Sequence, residues 1–380
     1  MDFRLTEEQE MMKRMARDFA ENEIIPYASA WDKEDKFPEE TVKKMFEVGL
    51  LTIGIPAEYG GPGLDHVAQN IVTEEIARGD AGICTTMAAS TLLAPDPVII
   101  AGTDEQKKWW FGLQNEGVLG AFCLTEPGAG SDAAGISTRC RKVGDEYIID
   151  GTKQFITNGS VAGLYVVFAT LDKSLGHKGI CCFMVDRNTP GITVGPKEDK
   201  MGIRSSITTQ VIFEEVRVPA KNLLGREGEG FRIAMKTLDI SRASVAAMAI
   251  GVAQAAFEAS VKYAKERHQF GKPIASFQAV QFMLAEMAMY IQAGRLLYLE
   301  ASSKQDMGLP FTEAASLAKG FCGDVAMRVA SDAVQIYGGY GYIKDYPVEK
   351  YFRDAKIMQI FEGTAQVQRL VIANDVLKAY

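Results

Sequence analysis

The chain has 380 residues, and at roughly 150 residues per domain it should contain two or three structural units. A composition of 47% hydrophobic and 24% charged residues excludes disordered and membrane proteins and is typical of a globular one. The net charge is −8 and no Lys/Arg-rich block is present, so nucleic acid is not an expected partner.

The cysteine and histidine content bears on compartment and metal binding. Six cysteines show no C-x-x-C pair and no regular spacing, which is typical of reduced thiols. The three histidines are too scattered for a metal site. There is no signal-peptide pattern at the start, and no uncharged apolar run of 18 residues. We therefore expect a cytoplasmic protein that neither binds a metal nor enters a membrane.

The first third of the chain has helical signals. Thr6 and Gln9 have the spacing of a capping box at the start of an amphipathic segment. Two further helices are predicted over 37–48 and 66–78. Residues 1–117 are therefore predicted to form a helical domain.

The pattern of apolar and turn-forming residues changes twice from residue 118 onward. Short β-branched and aromatic runs separated by turn residues predict strands over 163–170, 180–185, 210–213 and 216–218. From Ile233 the apolar residues again recur every three or four positions, which predicts long antiparallel helices. The predicted fold is α+β: a small β-barrel-like domain over 118–230 follows the helical one, and a C-terminal four-helix bundle over 231–380 completes the chain.

Two glycine-containing segments raise the question of a ligand. Residues 128–133 satisfy G-x-G-x-x-A, but 138–151 predicts a hairpin where a dinucleotide-binding fold requires a helix. A tight turn explains these glycines better than a ligand does. In 153–159, Phe155 could stack on a ligand while Thr157 donates, provided that the strand is extended there; the alternative is a phenylalanine packed in a sheet.

Two charged residues are candidates for chemistry. Arg267 ends a long helix, where it could grip a phosphate or remain a solvated charge. Glu362 lies between apolar residues and a Gly-Thr step, a setting that would desolvate the carboxylate and raise its pKa toward the range of a general base. A glutamate stabilised by a helix N-terminus is the alternative interpretation of Glu362.

Taken together, five segments resemble the acyl-CoA dehydrogenase family over nearly the whole chain. They are 124–132 (LTEPGAGSD), 155–159 (FITNG), 267–273 (RHQFGKP), 335–341 (QIYGGYG) and 361–364 (FEGT). The resemblance implies an oxidoreductase of fatty acid metabolism, active on short-chain substrates such as butyryl-CoA. It also implies a homotetramer built as a dimer of dimers and an electron-transfer flavoprotein as partner.

The resemblance further implies a non-covalent FAD between the β-domain and the C-terminal helices. The residues expected to contact it are Phe122, Leu124, Thr125, Gly130, Ser131, Phe155, Ile156, Thr157, Arg267, Gln269, Phe270, Phe277, Gln278, Gln335, Ile336, Gly338, Gly339, Thr364 and Gln366. In this family the group around Arg267 is expected to meet 335–339 of a neighbouring subunit.

By the same resemblance, Glu362 removes the α-proton of an acyl-CoA while the β-hydrogen leaves as hydride, giving a trans-2-enoyl thioester. Some relatives place the base at the position of Ser241, so a serine there assigns the base to Glu362. The residues expected to contact the substrate are Ser131, Asp239, Arg242, Phe361 and Gly363. Phe155 and Phe361 replace the usual Trp and Tyr, which removes one polar donor at each position.

Substrate choice is expected to depend on 82–98, which by family analogy lines the acyl end. No basic residue lies between Arg78 and Lys107, so a free acyl carboxylate would lack a charge partner, and glutaryl-CoA is disfavoured. Linear, branched and cyclic short acyl groups stay open. Two alternatives for the whole protein are a non-catalytic flavin-binding scaffold and an acyl-CoA oxidase.

Overall fold

The computed structural model describes residues 4–379. Residues 1–3 and 380, at the outer ends of the first and third predicted domains, lie outside the described part. Helices occupy most of the chain up to residue 115: α1 Glu7–Phe19, α2 Ile25–Glu34, α3 Glu39–Glu47, α4 His66–Gly79, α5 Ala81–Ala88, α6 Asp96–Ala101 and α7 Asp104–Asn115. The predicted capping box is present, with the Thr6 hydroxyl accepting from Gln9 N and Gln9 Oε1 accepting from Thr6 N.

A mixed sheet follows the helices. Its strands are β1 Gly120–Cys123, β2 Arg139–Val143, β3 Glu146–Thr157, β4 Leu164–Thr170, β5 Ile180–Asp186, β6 Ile192–Lys197, β7 Thr208–Pro219 and β8 Leu223–Leu224. The strand order is β6-β7-β3-β2-β4-β5-β8, and β1 pairs in parallel with β4. The predicted hairpin is the β2–β3 pair, which turns at Gly144. The two runs predicted over 210–218 form one strand, β7, in which Glu215 has a φ of +51°.

The rest of the chain returns to helices. They are α8 Gly230–Glu266, α9 Gln278–Asp306, α10 Thr312–Tyr337, α11 Val348–Ile357 and α12 Ala365–Ala379, with a short hairpin of β9 His268–Gln269 and β10 Lys272–Pro273 after α8. Buried Ala, Val, Ile and Met side chains of α4, α8 and α10 join one core cluster with those of the sheet. The order of helices, sheet and helices is as predicted.

Two long apolar segments are core helices. Ala81–Ala101 and Gly230–Glu266 have the length and composition to cross a membrane, but 83% and 72% of their most apolar windows are buried inside the protein. Burial within the fold accounts for their apolar composition.

Buried polar contacts fix the three regions against one another. Lys350 Nζ of α11 lies 2.7 Å from Asp80 Oδ2 and 2.6 Å from Asp354 Oδ2, and Asp80 also caps α5 through Ile83 N. The other Asp354 oxygen accepts from Ile203 N of the sheet region at 2.6 Å. A buried charge is tolerated only with such partners, so the cluster specifies how α5, the sheet region and α11 meet.

Candidate active site

Glu362 lies in a tight turn between α11 and α12. Its φ is +52° and that of Gly363 is +90°, so two successive residues adopt the left-handed conformation that disfavours a non-glycine residue. The Gly363 carbonyl accepts from Lys319 Nζ at 2.5 Å and from Gln368 Nε2 at 3.0 Å. These two donors hold the turn from the side of α10 and from within α12.

The Glu362 carboxyl group is buried and incompletely paired. Oε2 has no hydrogen-bond partner among the described residues. Burial raises the pKa of Glu362 to about 7, although Ser241, Lys319 and Arg242 each act to lower it. The cap of α12 is Thr364, whose hydroxyl accepts from Val367 N, so Glu362 does not serve as a helix cap. A carboxyl group with this pKa can exchange a proton near neutral pH.

Three further residues named in the sequence analysis lie on α8 on the side of this carboxyl group. The Ser241 hydroxyl, at the alternative base position, donates to Leu238 O and is close enough to Glu362 to affect its pKa. Arg242 Nη1 lies 2.5 Å from Asp239 Oδ1, while its Nε is buried without a partner. Ser241 and Arg242 thus lie within electrostatic reach of Glu362, and Asp239 is joined to this group through Arg242.

Asp96 is a residue that the sequence analysis did not single out. It is 8% exposed at the start of α6, and its Oδ2 is buried without a partner. Burial first, and then the negative charge of Glu362, raise the pKa of Asp96 well above its ordinary value. The segment 82–98 therefore brings a second carboxyl group within electrostatic reach of Glu362. The sequence analysis considered only basic residues in that segment and therefore missed Asp96. The signal that could have identified Asp96 is a carboxylate between two prolines in an apolar run.

A buried ion pair supports the predicted loop on the sheet side. Lys153 Nζ of β3 lies 2.8 Å from Glu126 Oε1 and 3.1 Å from the Leu124 carbonyl. Both carboxyl oxygens of Glu126 are occupied, because Thr138 N also donates to Oε1 and Ser137 donates twice to Oε2. Burial raises the pKa of Glu126, but these partners outweigh burial and lower it to about 2. These contacts therefore fix the position of the loop that follows Leu124.

The loop itself is a tight turn with an open surface. Glu126 and Ala129 exchange two backbone hydrogen bonds, and a Cβ on Gly128 or Gly130 would meet nothing within 4 Å. Gly130 and Ser131 are exposed, whereas Leu124 is buried and Phe122 and Thr125 are partly buried. Residues 128–131 therefore lie in a tight turn, and their backbone is also accessible to a ligand.

Phe155 departs from the extended strand that the sequence analysis assumed. Its φ is +56°, it lies at an irregularity in the β3–β7 register, and its side chain is 61% exposed. The alternative of a ring packed inside the sheet is wrong. Ile156 is buried and Thr157 partly buried, so this segment presents a bare aromatic ring and a hydroxyl close together.

The residues predicted for the nucleotide part meet at a separate pocket of about 440 Å³. Arg267, Gln269, Ile336, Gly338 and Gly339 all line it, so one chain contributes both predicted groups. The contact of the Arg267 group with 335–339 of a neighbouring subunit stays a prediction. Tyr263 and Tyr337 stack across the helices here with centroids 3.9 Å apart, which holds α8 and α10 together at this point.

The Arg267 guanidinium is free to meet an anion. It stacks on the Tyr340 ring at 5.2 Å, and no salt bridge within the described residues engages it. Phe270 is 93% exposed and meets Phe277 edge to face at 5.9 Å. Gln278, Gln335 and Gln366 are at least partly exposed and do not line this pocket.

Comparisons with known proteins identify the family. The chain matches the N-terminal, middle and C-terminal domains of the acyl-CoA dehydrogenase family over residues 6–113, 121–216 and 228–377. It belongs to the acyl-CoA dehydrogenase family. Its relatives include the mitochondrial short-chain specific acyl-CoA dehydrogenase of Rattus norvegicus, which is 45% identical over 99% of this chain and 92% of that protein.

Solved structures agree. The butyryl-CoA dehydrogenase of Megasphaera elsdenii has a TM-score of 0.97 and 45% identity, over 99% of this chain and 100% of that one. A chain in a study of the electron transferring flavoprotein of Acidaminococcus fermentans has a TM-score of 0.98 and 49% identity, over 100% of both chains. The protein is an FAD-dependent enzyme that dehydrogenates acyl-CoA, and its close relatives are short-chain and butyryl-CoA dehydrogenases.

The residues present fit FAD. A flat aromatic ring system needs an apolar stacking partner, which the bare Phe155 ring offers, and hydrogen-bond donors, which the open 128–131 backbone and Thr157 offer. A pyrophosphate needs a cation without a carboxylate partner, which Arg267 supplies. The pocket beside Arg267 has room for part of a nucleotide.

Proposed function

We propose that the enzyme dehydrogenates short-chain acyl-CoA thioesters, with Glu362 as the base that removes the α-proton. The observation that carries this proposal is the buried, unpartnered Oε2 of Glu362 together with a pKa of about 7. An α-C–H beside a thioester is a weak acid, so the group that removes its proton must be a sufficiently strong base. A carboxylate whose pKa lies near neutral pH is a stronger base than an ordinary one and is still partly ionised at that pH. A solvated carboxylate of pKa 4.5 would be a weaker acceptor.

The turn at 361–363 has a second proposed role. The negative charge that develops on the thioester oxygen requires donors that are in place before proton transfer. The Glu362 N–H lies in the turn that Lys319 and Gln368 hold, so we assign it to that oxygen. Bound FAD would supply the hydride acceptor for the β-hydrogen, and the loss of both hydrogens would give the trans-2-enoyl thioester. Phe155 and Thr157 orient its ring in this proposal, with Leu124, Thr125 and Ser131 on the adjoining loop.

The proposed CoA contacts lie on α8. Arg242 retains a buried Nε without a partner after its Nη1 has bonded Asp239 and Ser316, so this Nε–H is a donor left for substrate. Ser131 is exposed on the loop and is assigned to the pantetheine, and Phe361 and Gly363 flank the base. The remaining predicted contacts to FAD and the division at 1–117, 118–230 and 231–380 are part of the same proposal.

For the acyl group, we propose a short uncharged chain. The lining segment 82–98 contributes a carboxyl group, Asp96, and no Lys or Arg, so an acyl carboxylate would find no cation in that segment. Glutaryl-CoA is therefore disfavoured. The relatives described as short-chain specific support butyryl-CoA as the first substrate to test.

An electron-transfer flavoprotein is the proposed electron acceptor, supported by the similar chain from Acidaminococcus fermentans. A homotetramer is the proposed assembly. Phe282, Met289 and Leu296 recur every seven residues on α9 and are 59%, 70% and 42% exposed, which leaves an apolar stripe for another subunit to cover. The cytoplasm is the proposed compartment, supported by six buried cysteines that form no disulfide within the described chain.

Flavin reduction tests the proposed function. Butyryl-CoA should bleach the bound flavin within one turnover, whereas glutaryl-CoA should bleach it at least about 100-fold more slowly, because its carboxylate would be buried unpaired. Stopped-flow absorbance with a panel of linear, branched, cyclic and dicarboxylic acyl-CoAs measures both rates. Equal rates for the two substrates would contradict the assignment of the acyl pocket.

Glu362→Gln tests the base. The variant should keep its flavin but be reduced about 10³-fold more slowly, because the amide cannot accept the α-proton. Glu116→Gln, an exposed glutamate at the end of α7, is the matched control and should react as the wild type does. A Glu362→Gln variant reduced at the wild-type rate would refute the role of Glu362.

A further inference from the structure

The only described side chains that hold the carbonyl of the base turn are Lys319 and Gln368. Lys319 lies in the middle of α10 and is 1% exposed. Its ammonium donates to the Gly363 carbonyl, and no salt bridge within residues 4–379 joins it to a carboxylate. A buried ammonium is costly, and a carbonyl alone is a poor partner for a full charge. Structural stability alone therefore does not explain a lysine at this position.

The charges around Lys319 point to the base. Glu362 and Asp324 are the anions that act on it, and Arg242 is a nearby cation. From the other side, the groups that act on Glu362 are Ser241, Lys319 and Arg242, with Asp96 also within electrostatic reach. Arg242 is already paired with Asp239, whereas Lys319 has no such partner. The positive potential of Lys319 is thus available to Glu362.

We propose, building on the role assigned to Glu362, that Lys319 is the positioning residue of the base. Through the Gly363 carbonyl it holds the left-handed turn, and through its charge it favours the ionised form of the Glu362 carboxyl group. Burial lowers the pKa of Lys319 to about 8, with Glu362 opposing that decrease, so the ammonium is charged over the range in which Glu362 titrates.

The variant Lys319→Met keeps the length and apolar stem of the side chain and removes its charge. Because the cation favours the ionised form of Glu362, its loss should raise the pKa of Glu362, and the acid limb of the pH profile should move up by about one unit. The second-order rate constant for flavin reduction by butyryl-CoA should then fall about tenfold more at pH 6 than at pH 9. A merely structural role would lower the rate by the same factor at every pH.

Stopped-flow reduction of the flavin-loaded holoenzyme between pH 5.5 and 9.5 measures this ratio. Lys356→Met is the matched control, since it removes an exposed ammonium from α11 whose hydrogen bond is to Gln359. An acid limb in Lys319→Met that coincides with that of the wild type overturns the proposal. If Lys319→Met loses its flavin, Lys319→Arg and Lys319→Gln replace it: we expect the wild-type limb in the first and a raised limb in the second, and coincident limbs again overturn it.

The wild type separates this proposal from the proposed function. If butyryl-CoA and the rest of the panel fail to reduce the wild-type flavin, the proposed function fails. If they reduce it and the limb does not respond to residue 319, only the positioning role of Lys319 fails.

Discussion

Two glutamates, the buried Glu126 in the sheet region and the partly buried Glu362 among the C-terminal helices, have pKa values shifted in opposite directions. Glu126 has both oxygens bonded and a pKa lowered to about 2. Glu362 has an oxygen without a partner and a pKa raised to about 7. Burial acts in the same direction on both carboxyl groups, so the charge of Lys153 and the hydrogen bonds to Glu126 determine the difference. The first supports structure and the second is suited to exchange a proton.

The largest effect on stability should come from the sheet side. Lys153→Met leaves Glu126 buried without its cation, so the free energy of unfolding should fall by about 3–5 kcal/mol. Denaturant unfolding measures it, with Lys173→Met, an exposed lysine, as the control. The double variant with Glu126→Gln should lose less than Lys153→Met alone, because no buried charge is left. If Lys153→Met is as stable as the control, the pair does not hold the loop.

Removal of the charge of Glu362 should raise the free energy of unfolding, whereas removal of the charge of Lys153 should lower it. Because the pKa of Glu362 is about 7 in the folded protein and 4.5 when unfolded, ionisation favours the unfolded chain as the pH rises from 4.5 to 7. Glu362→Gln removes that penalty and should stabilise the protein by about 3 kcal/mol at pH 8 and by almost nothing at pH 4. Unfolding at the two pH values measures the difference.

Glu126 should affect the pH dependence of stability in the opposite way to Glu362. The folded protein lowers the pKa of Glu126 to about 2, so this carboxylate stabilises the fold above pH 4.5 and loses its contribution as the pH falls from 4.5 to 2. A Glu362→Gln variant that is less stable than the wild type at pH 8 would remove the contrast between the two glutamates.

The smallest effect concerns Phe155. Its positive φ is unfavourable for an aromatic residue, and its side chain is mostly exposed. Phe155→Asn should therefore raise the stability of the flavin-free protein by about 1 kcal/mol, since asparagine tolerates the left-handed region. The same variant should bind FAD more weakly, because the stacking ring is lost. Unfolding of the apoprotein and flavin titration measure the two effects, and a variant that retains full flavin affinity would exclude a stacking role.

Local features were predictable from the sequence, and long-range ones were not. The capping box of Thr6 and Gln9 and the hairpin at Gly144 depend on neighbouring residues, and both are present. The left-handed φ of Phe155 and the single strand over Thr208–Pro219 depend on pairing between β3 and β7, which composition does not encode. The residue pattern along the chain therefore predicted where the helices and strands lie, but not the irregularities in strand pairing.

The same distinction applies to the site. The apolar flanks of Glu362 were enough to predict a raised pKa. Lys319 lies 44 residues before the carbonyl that it holds, and Asp96 comes from another domain, so only the fold brings them to Glu362. The sequence could locate the reactive group, whereas the groups that adjust it became visible only in three dimensions.

The most direct test of the raised pKa of Glu362 is the pH dependence of kcat/KM for butyryl-CoA with the wild-type holoenzyme, because that constant reports ionisations of the free enzyme. We predict an acid limb with its midpoint near 7, in agreement with a buried carboxyl group. That limb should be missing from the residual rate of Glu362→Gln. A midpoint near 4.5, the value of a solvated glutamate, would contradict the account.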